Sequence, residues 1–328
     1  MSQVIIGVHG LGNKPPKEIL EKWWLDSIRE GYQLSGLSIP DFKFELVYWA
    51  DVFNDKPQDP KIQDNSDPFF LDEPYTSTPK DYVSEDHKIR QKVLDVLEKQ
   101  LYNIFLNDDL SINFSFITDA ILHSYFKELE IYYSKEFYND KEANCLARDI
   151  IRRRMADTLQ KYMDDDILII GHSMGSIIAY DVLTFTVPEV PIHTFITMGS
   201  PLGLPIIISK IASERNIKLP EFQKPKTPPG IVKSWYNFSD LEDKVALIYD
   251  LTDKFEANLN GINVENEVVE NTYIFKENRN PHKSFGYLRT PQIISVISQF
   301  LIKEKVNFIS KIWYKMYRGY ISIFYRNK

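Results

Sequence analysis

A serine between two glycines joins a short apolar run to a helical stretch at residues 171–175, Gly-His-Ser-Met-Gly. Residues 167–170 are typical of a buried strand, and residues 176–180 favour a helix. A turn this tight strains the serine backbone, and a Cβ atom two residues away on either side would clash. The pattern predicts a strand–turn–helix unit that presents the Ser173 hydroxyl at the carboxyl end of a sheet. A glycine–serine turn without a chemical role is the alternative.

Short apolar segments alternate with helical stretches along most of the chain. Strands are predicted at residues 4–8, 42–49, 166–170, 192–198, 232–238 and 270–275. Helices are predicted at residues 16–32, 139–163, 175–185 and 292–303. Strands that alternate with helices predict an α/β fold with a mainly parallel, doubly wound sheet flanked by helices.

The alternation is interrupted between residues 51 and 139. Residues 51–82 are rich in Pro, Asp, Asn and Ser, which favour loops, and residues 85–138 are helical in pattern with many aromatics. We therefore expect a core domain formed by residues 1–50 and 140–303, with a large helical cap inserted at 51–139. Residues 304–328 form a separate C-terminal tail.

Composition narrows the class of protein. A chain of 328 residues that is 43% hydrophobic can bury a large core, and a net charge of -7 gives no sign of a nucleic-acid-binding surface. The single cysteine, Cys145, cannot form an internal disulfide, and we expect it inside the helix over residues 141–160. No Cys/His spacing indicates a metal site.

The N-terminus lacks a secretory signal and no apolar stretch could cross a bilayer, so we expect a cytoplasmic protein.

Four short sequence features follow one another along the chain. They are His-Gly-Leu-Gly at 9–12, Gly-His-Ser-Met-Gly at 171–175, Gly-Ser-Pro-Leu at 199–202, and an Asp and a His near the end. Together they resemble the α/β-hydrolase superfamily, in particular its lipase- and esterase-like members. The resemblance covers about residues 1–50 and 140–300. It implies the α/β-hydrolase fold, shortened at its N-terminus because the two leading antiparallel strands of that family have no counterpart here.

The resemblance implies a catalytic triad in the order Ser, acid, His, with Ser173 as the nucleophile. Of the six histidines, only His193 and His282 follow Ser173. His193 precedes a predicted strand and so lies at the end of a parallel sheet where ligands are not bound. We therefore expect His282 to take the Ser173 proton and to pass it to the leaving group.

The acid of the triad should follow the strand predicted at residues 232–238. Asp240, Glu242 and Asp243 are the candidates there. Asp243, in the sequence Asp-Lys-Val, resembles the acid position of the family and is the first choice, with Asp240 as the alternative. Its role would be to hold the His282 tautomer and to stabilise the imidazolium.

The segment at residues 9–12 resembles the oxyanion loop of the same family. Acyl transfer builds negative charge on a carbonyl oxygen, and two preorganised N–H groups must donate hydrogen bonds to that oxygen. We expect the backbone N–H groups of Leu11 and Met174 to be these donors. The alternative is that residues 9–12 form an ordinary strand–helix turn. His9, Gly10 and His172 flank the centre and are expected to shape the pocket or to hydrogen-bond locally.

These residues imply a serine hydrolase that cleaves a carboxylic ester, with an acyl or lipid-like ester as substrate and without a metal or organic cofactor. A thioesterase, an amidase or an acyltransferase would use the same residues. A non-catalytic binding scaffold of the same fold is the alternative from another class. The aromatic side chains of the insertion either form an apolar lid or pack into a core of their own.

The C-terminal end has a distinct composition. Residues 301–328 hold seven Lys and Arg against one Glu, with Phe, Trp and Tyr interleaved. A basic, aromatic helix can lie on an anionic membrane surface, which would give the protein peripheral membrane contact. The alternative is that the tail packs on the domain with its lysines in solvent.

Overall fold

The computed structural model describes residues 2–79, 82, 129–133, 137–138, 145–214 and 224–302. The strands are β1 (Gln3–Val8), β2 (Lys43–Val47), β3 (Phe137–Tyr138), β4 (Cys145–Leu146), β5 (Asp166–His172), β6 (Ile192–Met198), β7 (Ile231–Ser239), β8 (Val264–Val268), β9 (Ile274–Phe275) and β10 (Asn278–Arg279). The helices are α1 (Lys17–Leu34), α2 (Ala147–Lys161), α3 (Met174–Asp181), α4 (Pro205–Glu214), α5 (Ser284–Leu288) and α6 (Pro291–Leu301). A 3₁₀ turn covers Ala50–Val52, and a π-helical turn, Val182–Thr186, continues α3.

One parallel sheet organises the described chain. Its strand order is β2-β1-β5-β6-β7-β8, and each neighbouring pair is parallel. The predicted α/β architecture with a mainly parallel sheet is therefore confirmed. The order reverses between β1 and β5, and a crevice forms at such a point beyond the carboxyl ends of the strands.

Helices cover both faces of the sheet. Strand β1 shows why, because Val4, Ile6 and Val8 point into one hydrophobic cluster and Ile5 points into another. The first cluster packs the sheet against α2, α3 and α4, and the second packs it against α1 and α6. A strand buried on both faces is apolar throughout, which explains the continuous apolar runs in the sequence.

The strand predicted at residues 270–275 is confirmed only at Ile274–Phe275, which does not belong to the parallel sheet. The sixth strand of the sheet is β8, which pairs with β7 from Trp235–Val264 to Ser239–Val268. Ile274–Phe275 instead pairs antiparallel with Asn278–Arg279 in a separate hairpin, whose turn residues Lys276 and Glu277 both have positive φ.

The position expected for Cys145 is also wrong. Cys145–Leu146 is a two-residue strand that pairs with Phe137–Tyr138, and α2 begins only at Ala147. The first part of the helix predicted over 139–163 lies outside the described residues or in this strand. At Cys145–Leu146, pairing with a neighbouring strand takes the place of the predicted helix.

The insertion and the tail are described only in part. After the 3₁₀ turn, residues 53–79 are irregular, as predicted, with an isolated bridge between Asp59 and Phe70. Residues 129–133 are helical, and Leu129 and Tyr132 are buried in the cluster with α2 and α3. Most of the predicted cap helices and the tail at 304–328 lie outside the described residues. Within the described part of the chain, no helix is both long and apolar enough to cross a membrane.

Candidate active site

Ser173 occupies a strained turn between β5 and α3. Its backbone has φ +54° and ψ −127°, a conformation that side-chain-bearing residues seldom adopt outside functional sites. A Cβ atom at Gly171 would lie 2.7 Å from the Ser176 Cα, and one at Gly175 would lie 2.1 Å from the Val8 carbonyl oxygen. The two glycines therefore permit the turn, as the sequence predicts.

Three of the predicted residues meet at the carboxyl ends of the strands. The Ser173 hydroxyl lies 2.9 Å from His282 Nε2, and His282 Nδ1 lies 2.8 Å from Asp243 Oδ2. Asp243 follows β7, and His282 follows β10 in the loop before α5. His193, in contrast, lies near the amino end of β6 and packs against Phe300. It is therefore at the opposite end of the strands from Ser173.

The Asp243 carboxylate is fully buried and surrounded by donors. Its Oδ1 accepts the Val245 N–H at 2.9 Å. Its Oδ2 accepts the Tyr287 hydroxyl at 2.8 Å in addition to His282 Nδ1–H. These donors stabilise an ionised carboxylate away from water and fix the plane in which it meets the imidazole.

Asp240, the alternative acid, is committed to other partners. Its Oδ1 accepts the Glu242 N–H at 2.8 Å, and its Oδ2 accepts the Asn271 N–H at 2.7 Å and Arg279 Nη2 at 2.6 Å. Burial raises the pKa of this carboxyl against the opposing effect of these donors. Asp240 thus joins β7 to the β9–β10 hairpin, and Asp243 is the carboxylate that meets His282.

His172 ties the elbow to the loop that carries His282. Its Nε2 lies 2.7 Å from the His282 carbonyl oxygen, which can only accept, so this nitrogen carries a proton. Burial lowers the pKa of His172 well below its usual value, and the neighbouring His282 lowers it further. His172 is therefore a neutral local hydrogen bonder, as expected from the sequence.

His9 has the opposite tautomer. The Trp49 N–H donates to His9 Nε2 at 3.0 Å, so the proton is on Nδ1, which donates to the Gly10 carbonyl at 2.8 Å. The ring stacks on Trp49 with 4.7 Å between centroids. Burial, together with the charge of Lys14, lowers the pKa of His9 to about 3.

The loop after β1 lies directly against Ser173. A Cβ atom at Gly10 would stand 2.7 Å from the Ser173 Cβ. Because the peptide after Gly10 is trans and its carbonyl faces His9, the Leu11 N–H points to the opposite side. Lys14 Nζ donates to the carbonyls of Leu11 and Gly12 and fixes the next part of the loop.

The two expected oxyanion donors lack acceptors. Neither the Leu11 N–H nor the Met174 N–H donates a hydrogen bond to any described residue. Met174 is the first residue of α3, where helix N–H groups have no intrahelical partner and attract negative charge. Both groups are thus available for an oxyanion beside Ser173.

A cavity of about 460 Å³ opens onto Ser173. Its apolar wall is largely buried and comprises Leu11, Pro15, Leu20, Trp23, Trp24, Leu71, Val245 and Phe285. Its polar lining residues are partly exposed and comprise Asn13, Lys14, Gln58, Glu73, Asn280 and Lys283. Polarity therefore increases from the buried wall towards solvent.

Residues 56–79, here called the strap, lie across both loops of the site. The Gln58 N–H donates to the Lys14 carbonyl at 2.9 Å. Glu73 accepts Asn280 Nδ2 at 2.8 Å and Lys283 Nζ at 3.0 Å, and Asn280 Oδ1 in turn accepts the His282 N–H at 3.0 Å. The strap thus holds the backbone of the His282 loop.

Three residues of the site are not predicted by the sequence reasoning. They are Tyr287, Glu73 and Asn280. Tyr287 and Asn280 lie near His282 in sequence, so that local segment is the signal that could have found them. Glu73 has no such signal, since it lies 209 positions before His282 in an irregular loop. Within the described residues, no group of three or more His, Cys, Asp or Glu is arranged to hold a metal ion.

Neither protein-family models nor curated protein sequences give a match to this chain. The geometry of the site therefore indicates its chemistry. A hydroxyl bonded to an imidazole, the same imidazole bonded to a buried carboxylate, and two available amide N–H groups form an arrangement suited to nucleophilic acyl transfer.

Proposed function

We propose that this chain is a serine hydrolase of the α/β-hydrolase fold that cleaves carboxylic esters through an acyl-enzyme on Ser173. The observation that carries the proposal is the pair of hydrogen bonds that joins Ser173 to His282 at 2.9 Å and His282 to Asp243 at 2.8 Å. The parallel sheet with this site at the carboxyl ends of its strands supports the fold.

Acylation begins when His282 Nε2 takes the Ser173 proton and Oγ attacks the ester carbonyl carbon. The carbonyl oxygen becomes an oxyanion, which the Leu11 and Met174 N–H groups stabilise. The carbon–oxygen bond to the alcohol then breaks, and His282 gives its proton to the departing alcohol. Asp243 keeps the His282 proton on Nδ1 and balances the charge of the imidazolium.

Deacylation repeats these steps with water as the nucleophile. His282 takes a proton from water, the oxygen attacks the acyl carbon, and the bond from that carbon to Ser173 Oγ breaks. The proton returns to Ser173 and the carboxylic acid leaves. His282 suits this exchange because its side chain is 24% exposed, while Ser173 is only 2% exposed.

The cavity supports an ester with an apolar acyl group. Its volume of about 460 Å³ is in the range of small-molecule sites, and its buried wall of Leu, Trp and Phe side chains suits hydrocarbon. Its partly exposed polar lining suits the alcohol part of an acyl or lipid-like ester.

Hydrolysis of p-nitrophenyl esters of graded acyl length tests this function. We expect kcat/KM to rise from acetate to a medium-chain ester, because each added methylene buries apolar surface worth about 0.8 kcal/mol. His282→Ala should lose activity by about 1,000-fold or more, whereas the matched control His193→Ala should retain it. A preference for acetate would contradict the acyl-ester assignment, and equal activity of both variants would contradict the role of His282.

A further inference from the structure

Tyr287 joins the two acidic residues that follow β7. Its hydroxyl oxygen lies 2.8 Å from Asp243 Oδ2 and 2.9 Å from the backbone nitrogen of Asp240. The side chain is fully buried, and it belongs to α5, which begins two residues after His282. The hydroxyl therefore stands behind the carboxylate that meets the imidazole.

The direction of both hydrogen bonds is fixed by chemistry. The Asp240 N–H can only donate, so the Tyr287 oxygen accepts it and directs its own proton to Asp243 Oδ2. Burial raises the pKa of Tyr287 well above its ordinary value, and the carboxylates of Asp243 and Asp240 raise it further. The phenol thus retains its proton at any pH at which the site works.

We propose that Tyr287 is a positioning residue that controls the proton affinity of His282 through the Asp243 carboxylate. This inference rests on the proposed function for its kinetic consequences. Tyr287 itself does not line the cavity among the described residues, so it acts without touching substrate.

The physical basis is that one carboxylate oxygen serves two donors. Asp243 Oδ2 accepts both Tyr287 O–H and His282 Nδ1–H, so the phenol proton withdraws negative charge from the oxygen that faces the imidazole. Without the phenol, that charge concentrates towards His282, which then binds its second proton more tightly. The carboxylate also loses the contact that holds Oδ2 in place.

Other charged or titratable groups also surround His282. The His172 ring lies tilted against that of His282 with 4.8 Å between centroids, Glu73 acts through its charge, and Lys283 is the next residue. None of these contacts the Tyr287 hydroxyl, so a Tyr287→Phe variant changes one partner of Asp243 and leaves these groups in place.

The pH profile of kcat/KM tests the proposal. In Tyr287→Phe we expect the acidic limb to move to higher pH by about half a pH unit or more, because the imidazole holds its proton more tightly. We expect kcat to fall about 10-fold and KM to stay unchanged. Tyr180→Phe is the matched control, since it removes another buried hydroxyl, which donates to the Lys226 carbonyl at 2.7 Å.

Two further measurements keep the test decisive. Substitution of Tyr287 by 3-fluorotyrosine retains the fold and strengthens the donor, so the acidic limb should move to lower pH. The low-field NMR resonance of the His282 Nδ1 proton should shift in both variants and stay in place in Tyr180→Phe. If the acidic limb of the pH profile and the His282 resonance both stay in place in the Tyr287 variants, the proposal is overturned, even if the rate falls. Absence of esterase activity in the wild type would instead count against the proposed function, because the NMR measurement needs no turnover.

Discussion

The histidines around Ser173 differ in the partners of their ring nitrogens. His9 and His172 are buried and neutral, each with a ring nitrogen that donates to a backbone carbonyl. His282 alone among these three lies between a hydroxyl and a carboxylate. At the residue scale, hydrogen-bond partners separate the proposed base from two histidines that sit nearly as close to the nucleophile.

Neutral His9 makes stability depend on acid pH. Its folded-state pKa of about 3 lies below the value of 6.5 in the unfolded chain, so only the unfolded state takes up this proton between those values. The free energy of unfolding therefore falls as pH drops below 6.5. We expect His9→Gln to lack this pH dependence. Between pH 7 and pH 4.5 its free energy of unfolding should fall by about 2.5 kcal/mol less than that of the wild type.

Urea unfolding of both proteins across this pH range measures the difference. His9→Gln will be less stable at pH 7, since its contacts with Trp49 and Gly10 are lost, but only the slope with pH matters. Parallel curves for the two proteins would show that His9 is protonated in the folded state or exposed to water.

Local chemistry explains which site residues are predictable. The elbow spans five positions, and its strained turn at Ser173 requires glycine at positions 171 and 175. Glu73 acts through contacts with a loop far along the chain and has no neighbouring pattern that marks its role, whereas Tyr287 lies five positions after His282. Asp243 could be ranked above Asp240 only by resemblance, because both follow the same strand; contacts with His282 and Arg279 distinguish them.

The strap links the loop after β1 to the loop that carries His282. It reaches the first through Gln58 and Lys14 and the second through Glu73 and Asn280. An irregular segment thus positions two parts of the site that the sheet alone leaves at separate strand ends. At the element scale, residues assigned by pattern to the cap also form a wall of the cavity.

Loss of the Glu73 carboxylate should loosen the His282 loop. Glu73→Ala releases Asn280 and Lys283, and we expect kcat to fall between about 10- and 100-fold, because small displacements of a base are costly. The neighbouring exposed Asp72→Ala is the matched control and should leave kcat unchanged. Hydrogen exchange at residues 280–283 should increase in Glu73→Ala only. Equal kcat in both variants would contradict a role for the strap.

Element prediction succeeds where a strand is buried on both faces. Strands β1 and β5 have continuous apolar runs that identify them, and β6 and β7 are mostly buried and rich in β-branched or aromatic residues. The edge strand β8, Val-Glu-Asn-Glu-Val, is mostly outside the core and gives no such run. The nearby apolar residues Val269 and Tyr273 are buried by packing and do not lie in the sheet, which explains the misplaced strand.

At the scale of the whole molecule, a buried ionic network joins elements on one face of the sheet. Arg152 of α2 donates to Asp181 at the end of α3 at 2.6 Å and to Glu214 of α4 at 2.9 Å. Tyr132 and Tyr133 donate to the same Asp181 oxygen. The elbow helix is thereby fixed to its neighbours and to the helical residues 129–133.

Removal of the central cation should be far more destabilising than removal of a surface one. Arg152→Met leaves the buried Asp181 carboxylate without its cation, and we expect a loss of about 3–5 kcal/mol. Arg154→Met, on the same helix, breaks an exposed pair with Asp51 and should cost about 1 kcal/mol or less. Urea unfolding at pH 7 measures both losses. Similar values would mean that the network adds little to stability.

Covalent labelling shows whether Ser173 is an activated nucleophile, as proposed. A fluorophosphonate probe reacts with serines that a neighbouring base activates, and peptide mapping locates the adduct. We expect the wild type to be labelled at Ser173 and Ser173→Ala to remain unlabelled. An unlabelled but folded wild type, or equal labelling of both proteins, would contradict the account.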